Sequence, residues 1–177
     1  MSCDGSSAGT DIVKDIYPGS NGSAIYEIAA MDNALYFSAY DGTPQNYKLW
    51  KSDGTEGGTV IVKDINPTIV PDVRYFSQAG SLLFFSGRGL STGFELWRTN
   101  GTDTGTVLVK DIYPGTTSGS PQKGVDLNGS LYFKATDDLN GGELWVSDGT
   151  EAGTMVVKDI FSGANNSSNP ENILNID

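Results

Sequence analysis

The sequence of 177 residues has no histidine and a single cysteine, Cys3. Without histidine there is no imidazole to act as a general base, to activate a nucleophile or to bind zinc. One cysteine excludes an intrachain disulfide, a thiolate zinc cluster and a Cys-X-X-Cys motif. These absences remove the commonest catalytic and metal centres, and we predict a protein that is not an enzyme and carries no cofactor.

Basic residues are also scarce, since 11 lysines and arginines stand against 22 acidic residues and give a formal net charge of −11. Such a charge repels a nucleic-acid backbone or an anionic membrane surface. No apolar stretch approaches the roughly 18 residues of a membrane span, and no signal-peptide pattern precedes the repeats. We therefore predict neither a nucleic-acid partner nor insertion into a membrane.

The dominant feature of the sequence is a repeat. The segment Leu49 to Thr55, which is Leu-Trp followed by a short polar turn, recurs at Leu96 to Thr102 and Leu144 to Thr150, with tryptophans 47 and 48 residues apart. Each copy continues into Gly-Thr, an apolar triplet and Lys-Asp-Ile, and Thr10 to Ile16 is a fourth copy of this second part. A fixed period of about 20–50 residues indicates a repeat architecture.

The repeat divides residues 1–177, taken as a single array, into three full units between two partial ones. The predicted boundaries are 1–16 for a partial unit that supplies a last strand, 17–65, 66–112 and 113–160 for units 1, 2 and 3, and 161–177 for a partial unit that supplies a first strand.

Turn residues predict four strands in each unit. In unit 3 the predicted strands are residues 123–127, 131–135, 143–147 and 155–160. No window shows the apolar period of a helix, and strands such as Leu82 to Phe85 are apolar on both faces, so both faces must be covered. Radially stacked blades cover both faces. We predict an all-β fold, a β-propeller-type array of four-stranded antiparallel blades, with a β-solenoid as the alternative.

Residues Glu143 to Thr154 have the sequence Glu-Leu-Trp-Val-Ser-Asp-Gly-Thr-Glu-Ala-Gly-Thr, which resembles the bacterial ELWxxDGT repeat family. The resemblance covers nearly the whole chain, with departures at Lys48 in place of Glu and Asn100 in place of Asp. It implies a propeller-like fold and an extracellular or cell-surface location, and it carries no settled activity. A looser similarity to the Asp-box turns of other propellers implies that the motif is architectural.

The repeated residues are predicted to be structural. The tryptophans are expected to be buried wedges between units with internally bonded indole N–H groups, a sugar-stacking surface being the alternative: Trp50, Trp97 and Trp145. The residues before the turn glycines are expected to accept backbone hydrogen bonds as Asx turns: Asp53, Asn100 and Asp148. The spacing of 15 residues predicts cross-strand ion pairs Glu95–Lys110 and Glu143–Lys158, which Lys48 breaks in unit 1.

Residues outside the repeated pattern are the better candidates for a ligand site. Tyr40, Tyr47 and Tyr75 are not repeated across the units, and we predict that they bind a ligand. Calcium is the rival use of the acidic turns, with weak candidate ligands Asp137, Asp138 and Asn140. No complete calcium-binding loop is present, so we predict no metal site and folding that does not require Ca²⁺.

The predicted function is a non-enzymatic extracellular or cell-surface binding module for a glycan or protein partner. The alternative is a structural or assembly subunit of a larger extracellular array or filament. An enzyme would need two converging carboxylates, whereas the acidic residues lie mostly at equivalent positions of separate repeats.

The end segments 1–16 and 169–177 lack the middle strands of a unit. We therefore expect exposed strand edges and blade faces. Either the chain is a segment of a longer array or it self-associates through its terminal strands; the alternative is that these segments pair within one monomer.

Overall fold

A computed structural model describes residues 2–3, 6, 8–43, 47–67, 73–163 and 166–175. This part of the chain contains 14 strands and no helix. The strands are β1 Ser2–Cys3, β2 Thr10–Asp11, β3 Tyr26–Met31, β4 Ala34–Tyr40, β5 Tyr47–Ser52, β6 Val60–Lys63, β7 Arg74–Ala79, β8 Leu82–Arg88, β9 Phe94–Thr99, β10 Val107–Lys110, β11 Val125–Leu127, β12 Ser130–Asp137, β13 Gly141–Ser147 and β14 Met155–Lys158.

Each full unit forms one four-stranded antiparallel sheet in which strand order follows the chain: β3 to β6, β7 to β10, and β11 to β14. The all-β class and the four strands per unit are confirmed. In unit 3 the middle strands, β12 and β13, extend beyond the predicted bounds, whereas β14 ends at Lys158, two residues early.

The three sheets share one register. In each, the motif tryptophan pairs across the ladder with a phenylalanine of the second strand, as Trp50 pairs with Phe37. Next to the tryptophan, the pairing of third and fourth strands shifts at a bulge that recurs in every unit. A bulge places two residues of one strand against one of the other, which changes every pairing beyond it.

The sheets stack face to face around their first strands, because β3 contacts β7 and β7 contacts β11. We call the two sides of a unit its leucine face, which carries Leu49, Leu96 or Leu144, and its tryptophan face. The leucine face of unit 1 packs on the tryptophan face of unit 2, and unit 2 packs on unit 3 in the same way. Within the described residues, the result is an open arc of three stacked four-stranded sheets that are not joined into a ring.

The end segments reproduce fragments of a unit. Strands β1 and β2 pair as a short hairpin, and Ser6 accepts from the amide of Gly9 as Thr55 does from Gly58. At the other end, the amide of Asn169 donates to Gly142 (2.9 Å) as that of Ser120 donates to Phe94 (3.0 Å). No strand is assigned within residues 166–175, although these contacts match those that lead into a first strand.

Candidate functional site

The polar turn of the motif is closed by its own side chains. Oδ1 of Asp53 accepts from the amide and hydroxyl of Thr55 at 2.9 and 2.7 Å, and the hydroxyl of Thr59 donates to the carbonyl of Thr55 at 2.7 Å. Asn100 and Asp148 make the same two contacts in units 2 and 3. The Asx-turn prediction is confirmed, and in each turn Oδ1 accepts from both the amide and the hydroxyl of the threonine two residues on. The hydrogen bonds from Thr55 and Thr150 lower the pKa values of Asp53 and Asp148.

Two glycines of the turn are required for different reasons. Gly101 and Gly149 have φ of +83° and +87°, and a side chain on either would meet the preceding unit at Tyr36 or Leu82. A side chain on Gly58 would instead overlap the carboxylate of Asp53 in the same turn. The Asp-Gly-Thr-x-x-Gly-Thr pattern is thus explained by backbone geometry and packing.

The glutamate at the start of the motif ties its unit to the chain that leads into the next unit. Glu95, fully buried, accepts from the amides of Gly119 (2.6 Å), Ile112 (2.8 Å) and Tyr113 (3.4 Å). Burial raises the pKa of Glu95 to about 7, against the opposing effect of these hydrogen bonds. Its carboxyl group thus joins β9 to the segment between units 2 and 3.

The same position is filled differently in the other units. Burial of Glu143 opposes ionisation, but hydrogen bonds from the hydroxyl and amide of Ser168 outweigh it, so its pKa is lowered. In unit 1 the residue is Lys48, which is buried and pairs with Asp41 at 2.6 Å. The position therefore always carries a charged or titratable group, and its partner differs from unit to unit.

The predicted Glu–Lys pairs are wrong. Because of the bulge beside the tryptophan, Lys110 lies opposite Leu96 and Lys158 opposite Leu144. The glutamate beside each leucine is instead turned to backbone amides, as described for Glu95. The physical reason is that a buried carboxylate needs several donors, which the segment after the fourth strand supplies.

The lysine of the fourth strand reaches across to the turn of the following unit. Lys63 donates to the carbonyl of Asp103 at 3.0 Å, and Lys110 to that of Glu151 at 3.5 Å. Lys14, before unit 1, reaches Thr59 at 2.9 Å and Glu56 at 3.4 Å. We call this recurring contact the lysine bridge.

The motif tryptophans are largely buried, as predicted: Trp50 and Trp145 are buried and Trp97 is partly buried. None of the three indole N–H groups has an acceptor in the described part of the chain, so the prediction of internal hydrogen bonds is wrong. Trp97 packs beside Phe85, with ring centroids 6.4 Å apart, and against the apolar core of unit 1. The packing between the units therefore buries the apolar part of the indole ring and offers its N–H group no acceptor.

The predicted ligand residues are only partly brought together. Tyr40 and Tyr47 pair across β4 and β5 with ring centroids 6.0 Å apart. Tyr26 lies 5.3 Å from Tyr47, and Tyr17 lies 5.2 Å from Tyr40. These four residues form the tyrosine cluster. Tyr75 belongs to unit 2 and lines a neighbouring cleft with Arg74 and Phe94.

Sequence reasoning missed Tyr17, Tyr26 and Arg74. Tyr26 and Arg74 occupy equivalent positions, because Tyr26 pairs with Ser38 and Arg74 pairs with the equivalent Ser86. Alignment of the first strands in this register is the signal that would have found Tyr26. A tyrosine in unit 1 thus occupies a position that is not aromatic in unit 2. Between the cluster and unit 2 lies a cleft of ≈ 370 Å³, the tyrosine cleft, lined by Tyr26, Glu27, Tyr47, Val73 and Arg74.

The weak calcium candidates form a capped turn. Both carboxylate oxygens of Asp137 accept hydrogen bonds, from the amides of Leu139 and Asn140 and from the side chain of Asn140. Asp138 is exposed beside it. Among the described residues, no group of three or more Cys, Asp or Glu side chains is arranged to hold a metal ion.

No protein-family model matches this chain, and no curated protein is found to be similar to it. Membership of the ELWxxDGT family therefore stays a prediction from the motif. In the described part of the chain no helix is long and apolar enough to cross a membrane.

Proposed function

We propose that this chain is a non-enzymatic assembly module that stacks head to tail with further copies through the end faces of its arc. The observation that carries the proposal is that equivalent apolar residues are buried in units 1 and 2 but exposed in unit 3. Val62 and Val109 are each 5% exposed where a following unit covers them, whereas Val157 of unit 3 is 47% exposed. The leucine face of unit 3 is built like the other two but is largely uncovered.

The isoleucine two residues after the end of each fourth strand shows the same difference in burial. Ile65 and Ile112 are buried, and Ile160 is 64% exposed. The neighbouring Met155 and Phe161 are exposed as well. A contiguous apolar surface of this kind favours association.

The opposite end of the arc offers the complementary surface. Leu83 and Leu131 are buried on the tryptophan faces of units 2 and 3, but Leu35 of unit 1 is 46% exposed. A side chain on Gly54 would meet nothing within 4 Å, whereas one on its equivalent Gly101 or Gly149 would meet the preceding unit. The tryptophan face of unit 1 is covered only in part, at Trp50 and Phe37, by Ile16.

A second copy of the chain is the occupant that fits, because it continues an interface that occurs twice within the molecule. The ammonium group of Lys158 makes no hydrogen bond or ion pair within the described residues, while those of its equivalents Lys63 and Lys110 each form a lysine bridge. The turn of a following unit would receive it in the same way. Since the two surfaces differ, the contact is heterologous and permits open growth.

The proposed location, outside the cell or on its surface, is supported by the resemblance to the ELWxxDGT family. The architectural role of nearly every motif residue supports assembly over catalysis.

The test is sedimentation velocity of the chain between about 5 and 500 μM, a range in which weak protein contacts become populated. Wild type is expected to sediment faster as concentration rises. Val157→Glu and Ile28→Glu, which charge opposite end faces, are each expected to weaken association by about tenfold or more. Both side chains are exposed, so the fold should persist, which circular dichroism verifies.

A mixture of these two variants decides the geometry. Each retains one intact face, so a head-to-tail contact predicts 1:1 dimers that grow no further. Leu90→Glu is the matched control, because Leu90 is equally apolar and exposed but lies in the loop between β8 and β9. A concentration-independent monomer of 18.8 kDa for wild type would contradict the proposal.

A further inference from the structure

We propose that the tyrosine cleft binds a neutral oligosaccharide. The cleft lies between the first strands of units 1 and 2, away from the end faces used in assembly. Its lining combines two aromatic rings, a guanidinium and a carboxylate. A concave site with a few convergent polar groups is the usual form of a ligand pocket.

The aromatic wall is presented to solvent rather than packed into a core. Tyr26 is 56% exposed, yet its ring is held in place by Tyr47 at 5.3 Å. Tyr47 is braced in turn by Tyr40, and Tyr40 by Tyr17. A chain of ring contacts thus fixes an exposed aromatic platform, and the apolar face of a pyranose ring packs on such a platform.

The polar groups are also fixed by the fold. The amide of Phe76 donates to Oε2 of Glu27 at 3.2 Å, and the guanidinium of Arg74 lies 5.0 Å from the centroid of the Phe94 ring. Preorganised groups lose little freedom on binding a ligand. Hydroxyl groups accept from an arginine and donate to a carboxylate, so these two side chains suit a polyhydroxylated molecule.

The charges favour a neutral ligand. Arg74 and Glu27 contribute opposite charges to one cleft, on a protein whose net charge is −11 and repels polyanions. Burial raises the pKa of Tyr47, and its hydrogen bond with Tyr26 acts in the same direction, so its hydroxyl stays neutral. An acidic polysaccharide would meet a repulsive field that Arg74, with Arg88 6.0 Å from the centroid of the same Phe94 ring, offsets only in part.

The backbone at the cleft departs from the regular strand. Glu27 and Tyr75 have φ of +40° and +58° at bulges in β3 and β7. Non-glycine residues in this region are strained, and bulges redirect side chains near functional sites. Unit 3 has no such residue at the equivalent Lys123, and its positions equivalent to Tyr26 and Tyr47 are Gln122 and Gly142. The cleft is therefore a specialisation of the first two units and is not required by the blade.

The experiment is isothermal titration with neutral hexasaccharides of glucose, mannose and N-acetylglucosamine, together with a uronic-acid hexamer and a proline-rich decapeptide. Val157→Glu serves as the background, so that assembly does not contribute heat. At least one neutral hexasaccharide is expected to bind saturably with a Kd below about 1 mM.

Two substitutions introduce glutamine, which is the residue that unit 3 has at the equivalent position, Gln122: Tyr26→Gln and Arg74→Gln. Each is expected to weaken binding by about tenfold. Tyr113→Ala, a partly buried tyrosine outside the cleft, should leave the Kd unchanged. For any variant that loses binding, a thermal melt establishes that the fold is retained.

Failure of every neutral hexasaccharide to bind at about 10 mM overturns the proposal. So does preferential binding of the peptide or of the uronic-acid hexamer, or binding that Tyr26→Gln and Arg74→Gln leave intact. None of these outcomes bears on the end faces, because the titration and the sedimentation experiments use different surfaces.

Discussion

A single position, the first residue of the Glu-Leu-Trp motif, shows how much depends on side-chain identity in a repeated fold. Glu95, Glu143 and Lys48 occupy it in the three units, and all are buried. Glu95 is held by backbone amides alone, Glu143 by the hydroxyl and amide of Ser168, and Lys48 by the carboxylate of Asp41. The same backbone therefore supports three different electrostatic environments.

Glu95 is expected to make stability depend on pH. Its pKa is raised to about 7 in the folded protein, above the ordinary value of 4.5, so the folded state binds the proton more tightly. The stabilisation is fully present below about pH 4.5 and is lost as pH rises through about 7. We expect the free energy of unfolding to fall by about 2–3 kcal/mol across this window, measured by urea denaturation.

The substitution Glu95→Gln should remove most of that slope. Glu143→Gln is the internal control: because the pKa of Glu143 is lowered, its contribution to stability is constant across this window and changes only at lower pH. An unchanged slope in Glu95→Gln would show that Glu95 is ionised in the fold throughout.

Adjacent glycines in one turn provide a second test at the residue scale. Gly58→Ala places a methyl group on the carboxylate of Asp53 and should cost about 2 kcal/mol or more, because the Asx turn must open. Gly57→Ala meets nothing within 4 Å and should change stability by less than about 0.5 kcal/mol. Thermal melts of the two variants give the comparison, and equal losses would contradict the account of the turn.

At the scale of the strand and turn, local chemistry was sufficient for prediction. Asp148-Gly149 and Asn128-Gly129 mark turns because few residue types accept their backbone angles, and β-branched runs between them form strands. The bulge beside Trp145 leaves no mark in a single strand, since it is a property of the pairing. Because of the bulge, Lys158 lies opposite Leu144 instead of Glu143, which made the Glu–Lys prediction wrong.

Contacts between distant segments were beyond sequence reasoning for the same reason. The clamp on Glu95 requires Gly119, 24 residues further on, to return to β9. The ring contact of Tyr26 with Tyr47 needs two strands that are separated by β4. Tyr40 and Tyr47 could be selected because they break the repeat, but their neighbours are defined only by the folded sheet.

The hairpin of β4 and β5 contains an ion pair that should be needed for the stability of unit 1. Asp41→Asn leaves Lys48 buried without a counter-charge, and we expect a loss of about 2 kcal/mol in the free energy of unfolding. Asp138→Asn, in the exposed equivalent loop of unit 3, should have little effect. Chemical denaturation compares the two, and a loss in both would point to net charge rather than to the pair.

At the scale of the whole molecule, net charge opposes the proposed stacking. Two copies at −11 repel each other, while the contact itself is apolar apart from the lysine bridge. Self-association should therefore strengthen when salt rises from about 0.02 to 0.5 M, as the screening length shortens. Sedimentation at the two salt concentrations measures this, and weaker association in high salt would indicate an interface built on ion pairs.

The lysine bridge ends on main-chain carbonyl groups, those of Glu56, Asp103 and Glu151. Every residue type has that carbonyl, so the lysine bridge to it is retained when the side chain at this exposed turn position changes, and an acidic residue such as Asp103 adds an ion pair with Lys63 at 3.2 Å. The outer rim of the array can therefore diversify in charge and shape from unit to unit. The lysine bridge between neighbouring units is kept while the exposed side chains of the turn vary.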